Sequence, residues 1–444
     1  MNYQRILRIT SGYLLFTGYQ IRSLDVKNQR YRLSLWSVIY FLCILVIYLI
    51  SFEHHFEESA LLKITLDLSP FLKNLLIFQI WLGLKTFIFC LIEWKFLTKV
   101  FNGLAEILIW GSGGGPKGVT HKKDLQYELL TYMIFFATFI VAFGFGLYIA
   151  IEMKFELPPI DHIMIALALF VPHFMIAGCL RLHTLTLWLV QRKLFEYKQQ
   201  LKENSETSDL KVIIEIINPV LKQDLDEAVS SKENVMSGER NDKVVKHNLE
   251  ENNTAMEDGI PANIYKNISE GVTAIARYLC STNKILQRQL LVLNGLNYNC
   301  LLYGIFTRLY FEKIWYPIFI GRNRRVFYAA NSVIFVCIIL DYFLLALTLC
   351  GFKKMKSEFY KEVNKQLKAT KSSSEEKVAM LRDITFVLKN QMNLKLFNVI
   401  DFKIWNFVLI QLLMLLSILI TVFYQYFNDQ ILALTQLVES SDDE

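Results

Sequence analysis

Two ionisable residues, Lys85 and Asp341, stand inside long apolar runs, and His173 stands inside a third. A charged group at bilayer depth is costly, and where one occurs it faces a bundle interior or water. The chemistry open to such residues is ion pairing or contact with a polar ligand, not bond cleavage. Lys85 lies about 14 residues after the start of its run, and Asp341 about 15 after the start of its own. At that matching depth they either pair with each other, or Lys85 carries its ammonium independently toward the nearer interface. At the end of the last apolar run a carboxamide, Gln425, is followed by a phenol ring, Tyr426. An amide can replace part of an ion's hydration, and a bulky ring can close a narrow passage against water. An ordinary interfacial helix end would also carry a Tyr.

Other chemistries lack their residues. Cys43, Cys90, Cys179, Cys280, Cys300, Cys337 and Cys350 fall almost entirely in apolar stretches and form no CxxC pair or extracellular disulfide framework. No metal-ligand spacing and no cluster of nucleophile, base and acid is visible, so neither an enzyme nor a bound metal or cofactor is expected. The glycine-rich GSGGGP at 111–116 lacks the Gly-Lys-Ser/Thr ending of a phosphate loop, and no strand precedes it. It reads as a linker.

The elements that must position these residues are membrane helices. Of 444 residues 53% are hydrophobic and 14% aromatic, with a mean hydropathy of +0.32, which is too apolar and too long for one water-soluble domain. A spanning helix needs about 20 mainly apolar residues. Seven runs qualify, at about 33–52, 71–93, 128–151, 162–190, 289–310, 326–350 and 404–427. The fifth is the most polar, with Asn294, Asn297 and Asn299 in its centre. No cleavable leader pattern opens the chain, so the first run is expected to stay as a span.

Orientation follows from lysine and arginine near the span ends, which cytoplasmic loops retain. Residues 1–32 hold Arg5, Arg8, Arg22, Lys27, Arg30 and Arg32; the connection after the second run holds Lys95, Lys99, Lys117, Lys122 and Lys123; the one after the sixth is lysine-rich from Lys353 to Lys403. The opposite loops are acidic, with Glu53, Glu57 and Glu58 in the first. An all-α, polytopic protein with its N-terminus inside and its C-terminus outside is predicted. The connection with Lys313, Arg322, Arg324 and Arg325 breaks the rule, as a solvated basic loop or as a charged collar at an outer mouth. The +6 formal charge forms no patch interleaved with aromatics, so nucleic acid is not an expected partner.

The cytoplasmic pieces are 1–32, 191–288 and 351–403. Residues 203–259 are polar with few aromatics and are expected to be disordered. On either side the chain is amphipathic: Ile264, Ile268, Val272, Ile275 and Leu279 recur at helical spacing, as do Leu381, Ile384, Leu388 and Met392 after a Ser373–Glu376 capping box. Such faces must be buried, either on the membrane surface or in a cytoplasmic bundle. Residues 404–427 are the seventh span and 428–444 an extracellular tail.

Residues 394–427, LKLFNVIDFKIWNFVLIQLLMLLSILITVFYQYF, resemble the C-terminal signature of insect gustatory receptors. In that family a Leu-Phe step followed by an acidic or polar residue leads into the seventh helix, which closes with Thr-Tyr, five hydrophobic residues and Gln-Phe. Leu396, Phe397, Asn398 and Asp401 fit the opening. Gln425 fits the closing glutamine, with Tyr426 in place of phenylalanine, while Ile418 and Leu419 stand where the family has Thr-Tyr. The inverted seven-span layout agrees along the whole chain.

The resemblance implies a multi-pass plasma-membrane cation channel opened by a small-molecule tastant and built as a homo- or hetero-tetramer of related subunits in lipid. It further implies a cytoplasmic anchor shared by extensions of the fourth to seventh helices, a pore lined by the outer seventh helix, and a ligand pocket in the outer half of each bundle. Gln425 and Tyr426 are then the pore and gate residues. Phe145, Tyr148, Phe170, His173, Tyr303 and Phe306 become pocket candidates, their rings suited to stacking on sugars or bitter compounds, although 33 Phe and 21 Tyr are spread through the chain and most serve packing. A metabotropic receptor would need an outside N-terminus, and neither an Asp-Arg-Tyr step nor an Asn-Pro-x-x-Tyr step occurs. A secondary transporter would show internal repeats and helices broken by Gly or Pro at midplane, and neither is visible.

Overall fold

Long apolar runs satisfy their backbone groups most cheaply as helices, and the described residues are mostly helical. The computed structural model describes residues 3–25, 30–57, 70–104, 171–172, 175, 177–203, 260–309, 324–369, 375–396, 400–401 and 404–442. In order, these form α1 (Tyr3–Phe16), β1 (Arg22–Asp25), β2 (Arg30–Leu33), α2 (Leu35–Glu57) and α3 (Pro70–Leu104). A helical stretch over 177–203, here α4, follows. Then come α5 (Ile260–Leu309), α6 (Arg324–Ala369), α7 (Glu375–Phe386), a π turn (Val387–Gln391), β3 (Lys395–Leu396), β4 (Ile400–Asp401) and α8 (Ile404–Asp442). Pro70 opens α3 and Pro261 is second in α5, where a missing N–H costs nothing.

Among the described residues, two helices are long and apolar enough to cross a membrane, over Leu35–Glu53 and Val408–Gln436. A shorter apolar stretch, Ile77–Ile92, lies in α3. The third expected run, 128–151, and most of 203–259 lie outside the described residues. At 50 and 46 residues, α5 and α6 far exceed the ~20 that a bilayer requires. Each therefore joins an apolar portion to a polar one.

The chain divides into two units, one of Met1–Leu189, Tyr278–Gly351 and Leu394–Glu444, the other of Val190–Arg277 and Phe352–Asn393. In the first unit the N-terminal segment, expected only as a cytoplasmic stretch, is folded: α1 leads through Gly18, at φ +77°, into an antiparallel hairpin with Arg22 opposite Leu33 and Asp25 opposite Arg30. Leu14 and Tyr19 are buried, both close to where Gly178 would carry a Cβ. A side chain at Gly178 would have to displace Leu14. The last helix, α8, runs on to Asp442, so residues 428–442 are helix continuous with the predicted span.

The second unit is a small bundle. Ile268, Val272 and Ile275 of α5, Phe359 and Val363 of α6, and Leu381, Ile384, Leu388 and Met392 around α7 are all buried. These include both apolar stripes read from the sequence, with only Ile264 half-exposed and Leu279 falling in the first unit. The Gln366 side chain accepts from the Tyr265 hydroxyl at 3.1 Å and donates to the Leu201 carbonyl at 2.8 Å, tying three helices together. Lys356 Nζ donates to the Met392 carbonyl at 3.2 Å and to Asn393 Oδ1 at 2.7 Å, closing the end of the π turn. Burial, and then the neighbouring Lys353, lower the pKa of that ammonium.

Candidate functional site

In the first unit several polar residues are turned inward. Asp341, on α6, is paired with Arg181 of α4, not with Lys85: Arg181 Nε and a terminal nitrogen donate to the two carboxylate oxygens at 3.2 and 3.3 Å. The two side chains are only 5% and 11% exposed. Lys85 is exposed on α3, its ammonium 5.9 Å from the Phe89 ring centre. The reason for the correction is geometric, since a guanidinium meets a carboxylate with two parallel bonds and an ammonium cannot. In the sequence Arg181 is a charge within the 162–190 run, where it stands close to the end of the apolar stretch.

The pair is covered by the N-terminal helix, because the Tyr13 ring lies 4.4 Å from the Arg181 guanidinium carbon. Burial raises the Tyr13 phenol pKa most, Arg181 pulls it down and Asp341 pushes it up. Nearby elements are joined the same way. The Tyr19 hydroxyl donates to Gln289 Oε1, and Cys179, beside Gly178, is buried.

The asparagines that made the fifth run look weak are its cross-links. Asn297 donates to the Tyr342 hydroxyl at 2.8 Å, and that hydroxyl donates to Asn294 Oδ1. Asn299 donates to Gln79 Oε1 and to the Leu75 carbonyl, both at 2.9 Å. Asn297 and Asn299 are 3% and 2% exposed. Buried amides need protein partners, and these lie on α3 and α6.

On α8 a polar strip and an apolar face are segregated. Ser417, Thr421, Gln425 and Asp429 recur every fourth residue and are half-buried, whereas Leu412, Leu416, Ile420, Phe423 and Phe427 are exposed. The Ser417 and Thr421 hydroxyls donate to the Met414 and Ser417 carbonyls. Gln425 Nε2 donates to Asp429 Oδ1 at 2.9 Å. Tyr426 rests against the Leu302, Ile418 and Val422 cluster and meets Phe427 edge-on, with ring centres 6.0 Å apart. Asp429 is a functional candidate that the sequence reading missed, although the i,i+4 spacing from Gln425 signals it.

Of the remaining candidates, Phe145, Tyr148, Phe170, His173 and Phe397 lie outside the described residues. Tyr303 and Phe306 are on the last turns of α5. Leu396 and Asp401 fall in the β3–β4 pair that precedes α8, where Lys395 stands opposite Asp401 and Leu396 opposite Ile400. Among the described residues no group of His, Cys, Asp and Glu could hold a metal ion. No protein-family model matches the sequence, and no curated protein matches it.

Proposed function

We propose that this chain is a subunit of a tastant-gated, non-selective cation channel of the gustatory-receptor kind. In this reading it crosses the plasma membrane seven times, with its N-terminus inside, and assembles as a tetramer. The observation that carries the reading is α8. It is a helix of 39 residues whose apolar side chains are mostly exposed, with a strip of Ser417, Thr421, Gln425 and Asp429 along it. Water does not support such a surface, whereas lipid and neighbouring subunits do. The C-terminal signature from Leu396 to Gln425 supports the family, and the inward hydrogen bonding of the asparagines on α5 supports a span there.

In this mechanism a ligand held within the helix bundle shifts α8 through the cluster of Leu302, Ile418, Val422 and Tyr426. Gln425 and Asp429 then present an amide and a carboxylate to passing cations, which lowers the cost of stripping hydration water. Phe427, exposed beside Tyr426, supplies an apolar ring for the closed state.

The test is ionic current in cells expressing the full chain, challenged with a panel of sugars and bitter compounds. A ligand-evoked cation current altered in divalent permeation or block by Gln425→Glu, at unchanged surface expression, is expected. No evoked current with any tastant, alone or with a co-expressed related subunit, would remove the channel reading. Orientation is tested separately: Asn252 and Asn267, in Asn-x-Ser/Thr sequences, should carry no glycan, and a glycosidase-sensitive shift lost in Asn252→Gln and Asn267→Gln would reverse it.

A further inference from the structure

Side chains alternate along a strand, and in β2 the alternation is fixed from within. Tyr31 is 2% exposed, and its backbone N–H donates to Asn102 Oδ1 of α3 at 2.7 Å. Arg30 and Arg32 must then share the outer face, and both are exposed. The register sets Asp25 opposite Arg30 and Ser23 opposite Arg32, and the Asp25 carboxylate lies 3.6 Å from Arg32 Nε. Asp25 is the only acidic residue before α2, against Arg5, Arg8, Arg22, Lys27, Arg30 and Arg32.

Next to these cations is an exposed apolar and aromatic border. Phe16 is 60% exposed, Leu35 74% and Trp36 79%, and the Tyr40 hydroxyl donates to the Phe16 carbonyl at 2.7 Å, joining α1 to α2. Phe16, Trp36 and Tyr40 thus belong to one edge at the start of α2. Aromatic residues that are apolar on one side and polar on the other collect at a membrane–water boundary.

We propose that this hairpin edge is a docking site for anionic phospholipid headgroups in the leaflet that faces the N-terminus. Arg30 and Arg32 contact the phosphate or carboxylate oxygens, and Phe16, Trp36 and Tyr40 seat at the interface. The proposal rests on the reading of α2 as a membrane span. If the apolar core begins at Leu35, the strand separating it from Arg30 is at most about 17 Å at ~3.3 Å per residue. The headgroup layer, roughly 5–8 Å deep on each side, lies within that reach. Cations near an anionic leaflet each gain about fivefold in affinity, an effect screened beyond a Debye length of ~8 Å. Asp25 on the same face subtracts from it.

The full chain, purified in a neutral detergent, is offered equimolar phosphatidylserine and phosphatidylcholine, and the retained lipid is read by native mass spectrometry. Phosphatidylserine should be retained in preference, and the preference should fall with added salt. The double variant Arg30→Gln, Arg32→Gln should lose about tenfold or more of it. Asp25→Asn should raise it several-fold, and it carries the test if the double variant does not fold. Equal retention of the two lipids by the unsubstituted chain, no change in either variant, or displacement of phosphatidylserine by low micromolar inositol hexakisphosphate would overturn the lipid site. Failure of the spanning reading is separable: extraction of the chain from membranes by alkaline carbonate would sink that reading, whereas a carbonate-resistant chain without a lipid preference sinks only the docking site.

Discussion

The two units of this molecule obey opposite rules for what to hide. In the unit of Val190–Arg277 and Phe352–Asn393, Phe386 is the one large hydrophobic residue exposed among those described, and the stripes Ile268, Val272, Ile275 and Leu381, Ile384, Leu388 are turned inward. Lys353, Lys354, Lys361, Lys365 and Lys368 stay outside. In the other unit, leucine, isoleucine and phenylalanine cover the surfaces of α2 and α8, while Asn297, Asn299, Gln289, Arg181 and Asp341 are buried. The first pattern minimises apolar area in water. The second, on the reading of α2 and α8 as spans, suits a medium in which exposed apolar side chains cost nothing. On that reading the difference lies in the surroundings and not in the helices, since α5 and α6 each contribute to both units.

The largest expected break in this contrast is Arg181→Leu. It leaves the Asp341 carboxylate buried without its partner, at a cost of about 3–5 kcal/mol, and should abolish or sharply reduce folded, surface-expressed protein. The double change Arg181→Leu, Asp341→Leu should recover most of the loss; a double variant no better than the single would show that the pair does not act as a unit. A matched pair of leucines sharpens the contrast next. Leu388→Ala should lower thermal stability in detergent by about 2–5 kcal/mol because it opens a buried cavity. Leu416→Ala, on the exposed face of α8, should cost no more than about 0.5 kcal/mol. Equal losses would mean that α8 is buried against something in the free protein. Between these two falls Asn297→Ala, which removes the donor to Tyr342 and should cost roughly 0.6–1.7 kcal/mol by the scale of interhelical hydrogen bonds in membranes.

What the sequence made legible followed from this same division. The amphipathic stripes were readable because water enforces a 3.6-residue period, and the buried positions at Leu381, Ile384, Leu388 and Met392 follow it. Helices in lipid lack that constraint. The apolar runs predict helices, but not which face each turns inward, so matching depth alone offers Lys85 to Asp341 while the structure pairs it with Arg181. The hairpin of Arg22–Asp25 and Arg30–Leu33 was unreadable because Tyr31 and Leu33 alternate with arginines over only four residues. The π turn at Val387–Gln391 has no proline or glycine to announce it. The apolar run marks where a span ends but not where its helix does: Gln425 and Asp429 bond along one face and α8 continues past Asn428, Asp429 and Gln430.

The smallest predicted effect concerns that last pair. Asp429 accepts from Gln425 Nε2 one turn away, so its carboxylate fixes the direction of the amide as well as adding negative charge. If cations pass this turn, Asp429→Asn keeps the side-chain shape and an acceptor oxygen but removes the charge. Single-channel conductance should then fall modestly at low ionic strength and approach the unsubstituted value in high salt, because a partly exposed charge is screened within about 8 Å at physiological ionic strength. Gln425→Glu should act oppositely, setting two carboxylates one turn apart and strengthening divalent block. A structural role for Asp429 alone would lower expression without giving conductance a salt dependence. Conductance in Asp429→Asn that matches the unsubstituted chain at every salt concentration would therefore place the permeation path away from this face of α8, leaving Gln425 and Asp429 as a helix-stabilising pair worth about 0.2–0.5 kcal/mol.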